Sequence, residues 1–177
     1  MSPSLDSVLA TISLPSPTLL PADTCQQVLR FALGSDSAML PLAQITEIFR
    51  VDVMQILPVP ETPNSILGVC NWRGDMLWLV DLDSLVGYPS LVETQQEQES
   101  LAFMAMVLQV DDQAIGLGVR QVYEIEHHEL QNLKPVTPGL FPPRLQPFVL
   151  GVIPGCRGAV LDIAAIMQRP LWQNLSG

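Results

Sequence analysis

An internal repeat constrains this chain of 177 residues more than any other feature of its sequence. The segment LPLAQITEI (residues 40–48) superposes on LGVRQVYEI (residues 117–125) at an offset of 77 residues. The tripeptide LGV occurs at 67–69 and again at 150–152, and RGDMLWLVDL has a shorter counterpart in RGAVLDI. Self-similarity over this length indicates a duplicated subdomain rather than a solenoid, because solenoid units are shorter.

The apolar runs between these motifs are short and separated by turn residues, which favours strands over helices. Sixteen prolines are spread through the chain, and proline disrupts the interior of a helix. We therefore predict an all-β barrel or sandwich, with little helix beyond single turns at 83–86 and 164–168. Closing a barrel would leave no long open strand edge exposed to other chains.

Composition divides the chain into an arm and one duplicated domain. Residues 1–25 are rich in proline and serine and lack periodicity, which predicts a flexible arm. The domain should span 26–170, with a first subdomain at 26–88 and a second at 101–170. The polar, acidic stretch at 89–100 is predicted to link them, as a linker or a short exposed helix.

The charge balance limits the partners that the protein can have. The net charge is −10 and the pI is near 4.3, which argues against nucleic acid, because affinity for nucleic acid comes from neutralising phosphates. No run of 18 apolar residues exists, and the first residues fit no signal peptide. We therefore expect a cytoplasmic protein that is not inserted in the membrane.

The cysteines and histidines give little sign of metal or redox chemistry. Cys25, Cys70 and Cys156 show no CxxC spacing, and an odd number of cysteines in an intracellular chain predicts reduced thiols that are buried as small hydrophobic residues. His127 and His128 are adjacent, so on a strand their side chains should point to opposite faces. No glycine-rich phosphate loop and no GxSxG motif occur. The sequence therefore predicts no cofactor, no metal and no enzymatic activity.

Two pairs of carboxylates keep an alternative open. Asp81 and Asp83 could share one strand face, as could Glu124 and Glu126, and such pairs can bind a metal or perform acid–base chemistry. Asp81 has a counterpart in the second half, Asp162, which also follows a strand. A carboxylate repeated at a strand end is expected to accept backbone N–H groups, so we favour a structural role.

The dipeptide Arg73-Gly74 recurs as Arg157-Gly158. The glycines are expected to supply positive φ in hairpin turns. A turn does not need the arginine, however, and Arg73 follows Trp72 in the most apolar part of the chain. Arginine beside exposed aromatic rings is the composition of a protein-interaction hot spot.

Two long motifs resemble those of one family. The segment ILPVPETPNSILGVCNWRGDMLWLVDLDSLVG is similar to the central signature of CheW-like domains, with its proline-flanked loop, G-V-x-N-x-R-G turn and V-D-L strand. The preceding QITEIFRVDVMQILPVP resembles the family element that carries V-x-E-I. The likeness spans about residues 27–168, and it is most specific in the first half.

The resemblance implies a fold and a function. The fold would be two SH3-like five-stranded β-barrel subdomains packed side by side. The function would be that of a non-catalytic adaptor between a methyl-accepting chemoreceptor and a CheA-type histidine kinase, in chemotaxis, phototaxis or pilus-driven motility. Such an adaptor would be recruited to membrane-associated receptor arrays.

The resemblance also implies which residues bind partners. The family's glutamate and arginine at partner surfaces correspond to Glu47 and Arg73, and the aliphatic residue of the first motif corresponds to Ile45. With Trp72 and Gly74 these form the predicted partner-binding set, and the receptor tip would enter the groove between the barrels. Two alternatives remain: a ligand-binding barrel that uses the carboxylate pairs, and a decoy that binds receptors but no kinase.

Overall fold

The computed structural model describes residues 25–94, 102–110, 112–156 and 158–168. These residues are mostly β, as the sequence predicted. The strands are β1 Gln26–Leu33, β2 Asp36–Pro41, β3 Ile45–Asp52, β4 Ile66–Trp72, β5 Asp75–Asp81, β6 Ala102–Val110, β7 Gln113–Val119, β8 Val122–His128, β9 Val149–Val152 and β10 Ala159–Leu161.

Helix is limited to short segments in the part of the chain that the structure describes. These are α1 Leu82–Leu85, α2 Leu91–Thr94 and α3 Ile163–Met167, together with four 3-10 turns. The first and third lie within one residue of the helical turns predicted at 83–86 and 164–168. The predicted arm, apart from its last residue, and residues 95–100 of the predicted linker lie outside the described residues.

The strands form two five-stranded sheets, and each sheet contains strands from both sides of the 89–100 segment. The first sheet has the order β9-β10-β2-β1-β8, and the second has the order β4-β5-β7-β6-β3. Each half of the chain gives its first two strands to one sheet and its last three to the other. Each half therefore holds five strands, as predicted, but neither half forms a five-stranded sheet from its own strands alone. The subdomain bounds along the chain stay a prediction.

The internal repeat relates the strand pairings of one sheet to those of the other. β5 joins β7 in parallel in the second sheet, and β10 joins β2 in parallel in the first. An additional pair of backbone hydrogen bonds links Leu57 with Val69, and an equivalent pair links Lys134 with Val152. These two bridges are related by the same repeat that pairs LGV at 67–69 with LGV at 150–152. Each bridge brings the segment after an edge strand against the opposite edge of the same sheet.

The bridges explain the glycine of each LGV. A Cβ on Gly68 would lie 2.3 Å from the Leu57 carbonyl oxygen, and one on Gly151 would lie 2.8 Å from the Lys134 carbonyl oxygen. No side chain fits at such distances. The ladder is also irregular at both glycines, between Ile66 and Gly68 and between Val149 and Gly151.

Alternation along the strands divides the apolar side chains among three clusters. The central cluster takes residues from both sheets, among them Phe31 of β1 and Leu117 of β7. Phe103 and Leu79 belong to an inner cluster of the second sheet, and Val28 belongs to a smaller one in the first sheet. Because strands such as β6 are buried on both faces, their sequence is continuously apolar rather than alternating.

The shared central cluster joins the two sheets into one body. Its members include fully buried side chains from β1, β2, β6 and β7. This architecture confirms the predicted fold class, and it is consistent with two SH3-like subdomains packed side by side.

Candidate protein-interaction site

Trp72 and Arg73 come together with Glu47 at one end of the second sheet. The hairpin between β4 and β5 pairs Trp72 with Asp75, which leaves a two-residue turn of Arg73 and Gly74. Both turn residues have positive φ, 53° and 83°, as in a type I′ turn. The predicted positive φ of Gly74 is therefore confirmed. Because this turn type favours Asn and Gly, an arginine in its first position is unusual.

Glu47 lies on β3, the edge of the second sheet opposite the edge formed by β4. The register of β3 against β6 shifts between Ile45 and Glu47, so that an extra residue stands in β3. Trp72 Nε1 donates a hydrogen bond of 3.2 Å to Glu47 Oε1. The contact therefore joins the two edges of the second sheet through side chains.

The same glutamate oxygen also forms an ion pair with the Arg73 guanidinium. Arg73 Nη2 lies 2.6 Å from Glu47 Oε1, and the guanidinium carbon lies 4.9 Å from the centre of the Trp72 ring. The Arg73 side chain is 62% exposed and that of Glu47 is 35% exposed. Among the described residues, Glu47 Oε2 and the remaining guanidinium nitrogens make no further hydrogen bond or ion pair.

The structure gives the other predicted residues separate positions. Ile45 is half-buried at the start of β3 and packs against the central cluster. Gly74 is exposed, and a Cβ there would meet nothing within 4 Å, so its role is the backbone conformation alone. Glu47, Trp72 and Arg73 thus form one contact site, which we call the edge triad.

The second turn differs from the first. Between β9 and β10 the connection is six residues long, and its Arg157 lies outside the described residues. Gly158 has a φ of 139°, and a Cβ there would lie 2.9 Å from Arg30 Nη1. Its positive φ is as predicted, but this glycine also makes room for a neighbouring side chain.

Asp81 has the structural role that its position at a strand end predicted. It is fully buried and caps α1, with Oδ1 accepting the Ser84 N–H at 3.1 Å. Oδ2 accepts the Ser90 hydroxyl at 2.7 Å and the Leu91 N–H at 2.9 Å. Its counterpart Asp162 caps α3 through the Ala165 N–H. The interactions of Asp81 leave its carboxylate inaccessible to a substrate.

Asp83 lies in the first turn of α1, so the prediction that it shares a strand face with Asp81 is wrong. The side chain is 1% exposed, and Oδ1 is a buried atom without a hydrogen-bond partner among the described residues. Burial raises the pKa of Asp83 to about 6, and the charge of Asp81 acts in the same direction. The Gly34 backbone N–H opposes this shift.

Glu126 and Glu124 do lie on one face of β8, as alternation predicts, but their surroundings differ. Glu124 is exposed, whereas Glu126 accepts from Arg30 and contacts His128 Nε2 at 2.7 Å. The hydrogen bond from Arg30 is the largest cause that lowers the pKa of Glu126 to about 2. His127 is exposed and His128 is half-buried, which agrees with the prediction that their side chains diverge.

Sequence reasoning missed two sets of contacts. It did not pair Glu47 with Trp72 and Arg73, which are 25 or more residues away along the chain. It also missed the pair of Arg30 and Glu126, which are 96 residues apart. The spacing of Glu126 and His128 was a usable signal, because residues two apart share a strand face. Nothing in the sequence indicated Arg30.

In the described part of the chain, no helix has the length and apolar character needed to cross a membrane.

Comparisons with known proteins agree on one family. A model of the CheW-like domain matches residues 27–170. Chemotaxis protein CheW of Helicobacter pylori is 28% identical over 110 residues, which are 62% of this chain and 62% of that protein. The match therefore spans less than two-thirds of that relative. The crystal structure of scaffolding protein TtCheW from Thermoanaerobacter tengcongensis has a TM-score of 0.65 at 20% identity, and the match covers 82% of this chain and 94% of that one.

Proposed function

Because this chain belongs to the CheW-like domain family, we propose that it is a non-catalytic scaffold between methyl-accepting chemoreceptors and a CheA-type histidine kinase. It acts in the cytoplasm, where receptor arrays recruit it to the membrane without insertion. The signal that it relays controls chemotaxis, phototaxis or pilus-driven motility. The named relatives, a chemotaxis protein and a scaffolding protein, support this proposal.

The observation that carries the kinase contact is the backbone conformation of Arg73. A residue with a side chain at a φ of 53° costs about 1–2 kcal/mol relative to the right-handed conformation. An exposed ion pair such as Arg73–Glu47 returns only about 0–1 kcal/mol. Folding therefore gains little from an arginine at this turn, and an interaction with a partner accounts for its presence better than stability does.

The edge triad is prepared for such a contact. Trp72 Nε1 and Arg73 Nη2 both bind Glu47 Oε1, so the glutamate orients the ring and the guanidinium together. Side chains that are ordered before binding lose less entropy when a partner arrives. Glu47 Oε2 and the other guanidinium nitrogens remain available to kinase groups. Arginine and tryptophan are also the residue types that dominate binding energy at interfaces.

The receptor contact is proposed at the half-buried edge of the central cluster. Ile45 of β3 and Val122 of β8, which the repeat pairs, are both partly exposed and both pack against that cluster. An amphipathic helix from a receptor tip can lay its apolar face on such residues. Each contact would be of moderate strength, and many copies in an array would raise the effective affinity.

The ligand-binding alternative has less support than the scaffold. It needs Asp81, Asp83, Glu124 and Glu126 to be available, but both oxygens of Asp81 are used within the fold. Asp83 is buried in the first turn of α1, so the two aspartates do not share a strand face. The decoy alternative differs from the scaffold only in lacking kinase binding. A measurement of kinase binding therefore distinguishes the two functions.

The proposal is tested by assembling the three components from purified parts. Receptor cytoplasmic fragments on vesicles, the kinase and this protein should co-sediment, and kinase sedimentation should depend on the protein. Sedimentation of the protein with receptors but without kinase would identify a decoy and overturn the scaffold. Failure to bind either component would overturn both contacts.

A further inference from the structure

Three metal-ligating side chains from two parts of the chain meet beside the first sheet. They are Glu126 and His128 of β8, and Cys156 in the connection between β9 and β10. Their ligand atoms all lie within 4.8 Å of one another, and all three residues are half-buried. Donors bound to one zinc ion lie about 3–4 Å apart, so shifts of about 1 Å would complete the arrangement.

The fold brings these residues together for a definite reason. Residues 126 and 128 are two apart on β8, so both point to the same face, where they pair with Val28 and Gln26 of β1. Cys156 packs against the smaller apolar cluster in the first sheet, and its N–H donates to the Ile153 carbonyl oxygen. The turn therefore holds the thiol over the face on which the glutamate and the histidine lie.

We propose that Cys156, His128 and Glu126 bind a divalent cation of the zinc class. Thiolate sulfur, imidazole nitrogen and carboxylate oxygen are the three ligand types that zinc takes in proteins. Magnesium and calcium prefer sets made of oxygen atoms alone, and the thiol and the imidazole therefore select against them. Three protein ligands leave a fourth position to water.

Arg30 supports this assignment as an outer partner. It donates from Nε and Nη2 to the two oxygens of Glu126, and from Nη1 to the Ser37 hydroxyl at 2.7 Å. Carboxylates that bind metals are commonly held in orientation by such hydrogen bonds. A bound thiolate and the glutamate carboxylate together neutralise the dication, so Arg30 leaves the occupied site with a net charge of +1. The hydrogen bond between His128 Nε2 and Glu126 would be replaced by bonds to the ion.

A bound ion would link the connection between β9 and β10 to β8, which is an edge strand of the first sheet. The strands that it joins, β8 and β9, stand at opposite edges of that sheet. A ligand that binds only the folded state raises apparent stability by mass action. The site would therefore close the first sheet at the same kind of position at which the edge triad closes the second.

The test uses tag-free, chelator-treated, reduced protein and zinc chloride as the probe. Isothermal titration should give one zinc ion per chain, and zinc should raise the melting temperature. Cys156→Ser and His128→Gln should each weaken zinc binding at least about tenfold. Removing an outer partner of a metal ligand already weakens binding by about tenfold, and removing a direct ligand should cost no less. Cobalt should produce a sulfur-to-cobalt charge-transfer band that Cys156→Ser abolishes.

The matched controls are a histidine and a cysteine that lie outside the proposed site. His127→Gln changes the exposed histidine on the opposite face, and Cys25→Ser changes the exposed cysteine. Both should keep the zinc affinity and the cobalt band. The proposal is overturned if the unaltered protein binds no zinc, if Cys156→Ser and His128→Gln leave binding unchanged, or if His127→Gln abolishes it. Metal-free melting temperatures of all variants show whether each one folds.

Discussion

Arg73 and Glu47 form an ion pair across the two closing edges of the second sheet, with Nη2 2.6 Å from Oε1. The arginine stands at a turn position with positive φ, and the glutamate stands beside an irregularity in the edge strand β3. The positive φ at position 73 favours asparagine or glycine on stability grounds alone. Two local irregularities that meet in one exposed contact are the reason for the proposal that this surface binds a partner.

The variant Arg73→Asn removes the guanidinium but keeps a residue type that suits the turn. Asparagine adopts positive φ at less cost than arginine, so we expect the free energy of unfolding to stay level or to rise by up to about 1 kcal/mol. Urea unfolding of the two proteins measures this difference. A loss of 2 kcal/mol or more, of the order of a buried contact, would mean that Arg73 is structural.

Local features of this fold could be predicted from the sequence, whereas contacts between distant segments could not. The turn at Arg73 and Gly74, the caps at Asp81 and Asp162 and the short helices depend on neighbouring residues. Pairing between strands depends on the whole chain. Nothing local to β3 indicates that it joins strands of the second half rather than β1 and β2.

The residues of the two candidate sites divide in the same way. The resemblance indicated Glu47 and Arg73 separately, but their meeting with Trp72 requires the second sheet to close. The alternation of β8 placed Glu126 and His128 on one face. Their contacts with Arg30 and Cys156 depend on a sheet that combines both halves. The prediction that all three cysteines are buried small hydrophobic residues holds for Cys70 but is wrong for Cys25, which is exposed, and for Cys156, which is half-buried.

Asp81→Ala should destabilise the protein far more than Asp162→Ala. Asp81 accepts three hydrogen bonds, and its loss would leave donors at Ser84, Ser90 and Leu91 without their acceptor. We expect a cost of about 3 kcal/mol or more for Asp81→Ala, and about 1 kcal/mol for Asp162→Ala, which removes one helix cap. Chemical denaturation measures both. Equal costs would show that the repeated aspartates contribute alike and that the additional contacts are without effect.

Asp83→Asn should stabilise the protein at pH 7. Because burial raises the pKa of Asp83 from 3.8 to about 6, the folded state binds its proton more tightly than the unfolded state. Stability from this group is therefore greatest below pH 4 and declines as the pH rises through 6. The penalty at pH 7 is at most about 3 kcal/mol, and the variant removes it.

The difference between Asp83→Asn and the unaltered protein should shrink as the pH falls from 7 to 4. Comparing the two proteins cancels other titrations, including that of Glu126, whose lowered pKa acts in the opposite direction. Melting temperatures across this pH range provide the measurement. A constant difference, or a variant that is less stable at pH 7, would contradict the penalty.

Gly68→Ala and Gly74→Ala should differ sharply in cost. A Cβ at Gly68 would lie 2.3 Å from the Leu57 carbonyl oxygen, whereas one at Gly74 meets nothing within 4 Å. Gly74→Ala should therefore cost only the strain of its φ, about 1–2 kcal/mol. Gly68→Ala should cost several kcal/mol or prevent folding, because backbone atoms must move. Similar unfolding free energies for the two variants would argue against closure of the second sheet through Leu57.

The central claim is that the edge triad contacts the kinase, and isothermal titration of the protein with the cognate CheA-type regulatory domain tests it most directly. Truncating one member of an interfacial charge pair typically costs about 2–5 kcal/mol. Arg73→Asn and Glu47→Lys should each raise the Kd at least about thirtyfold, which is about 2 kcal/mol. Arg50→Ala, an exposed arginine on the same strand as Glu47, is the control and should bind normally. Unchanged affinity in Arg73→Asn and Glu47→Lys, with both variants folded, would contradict the account.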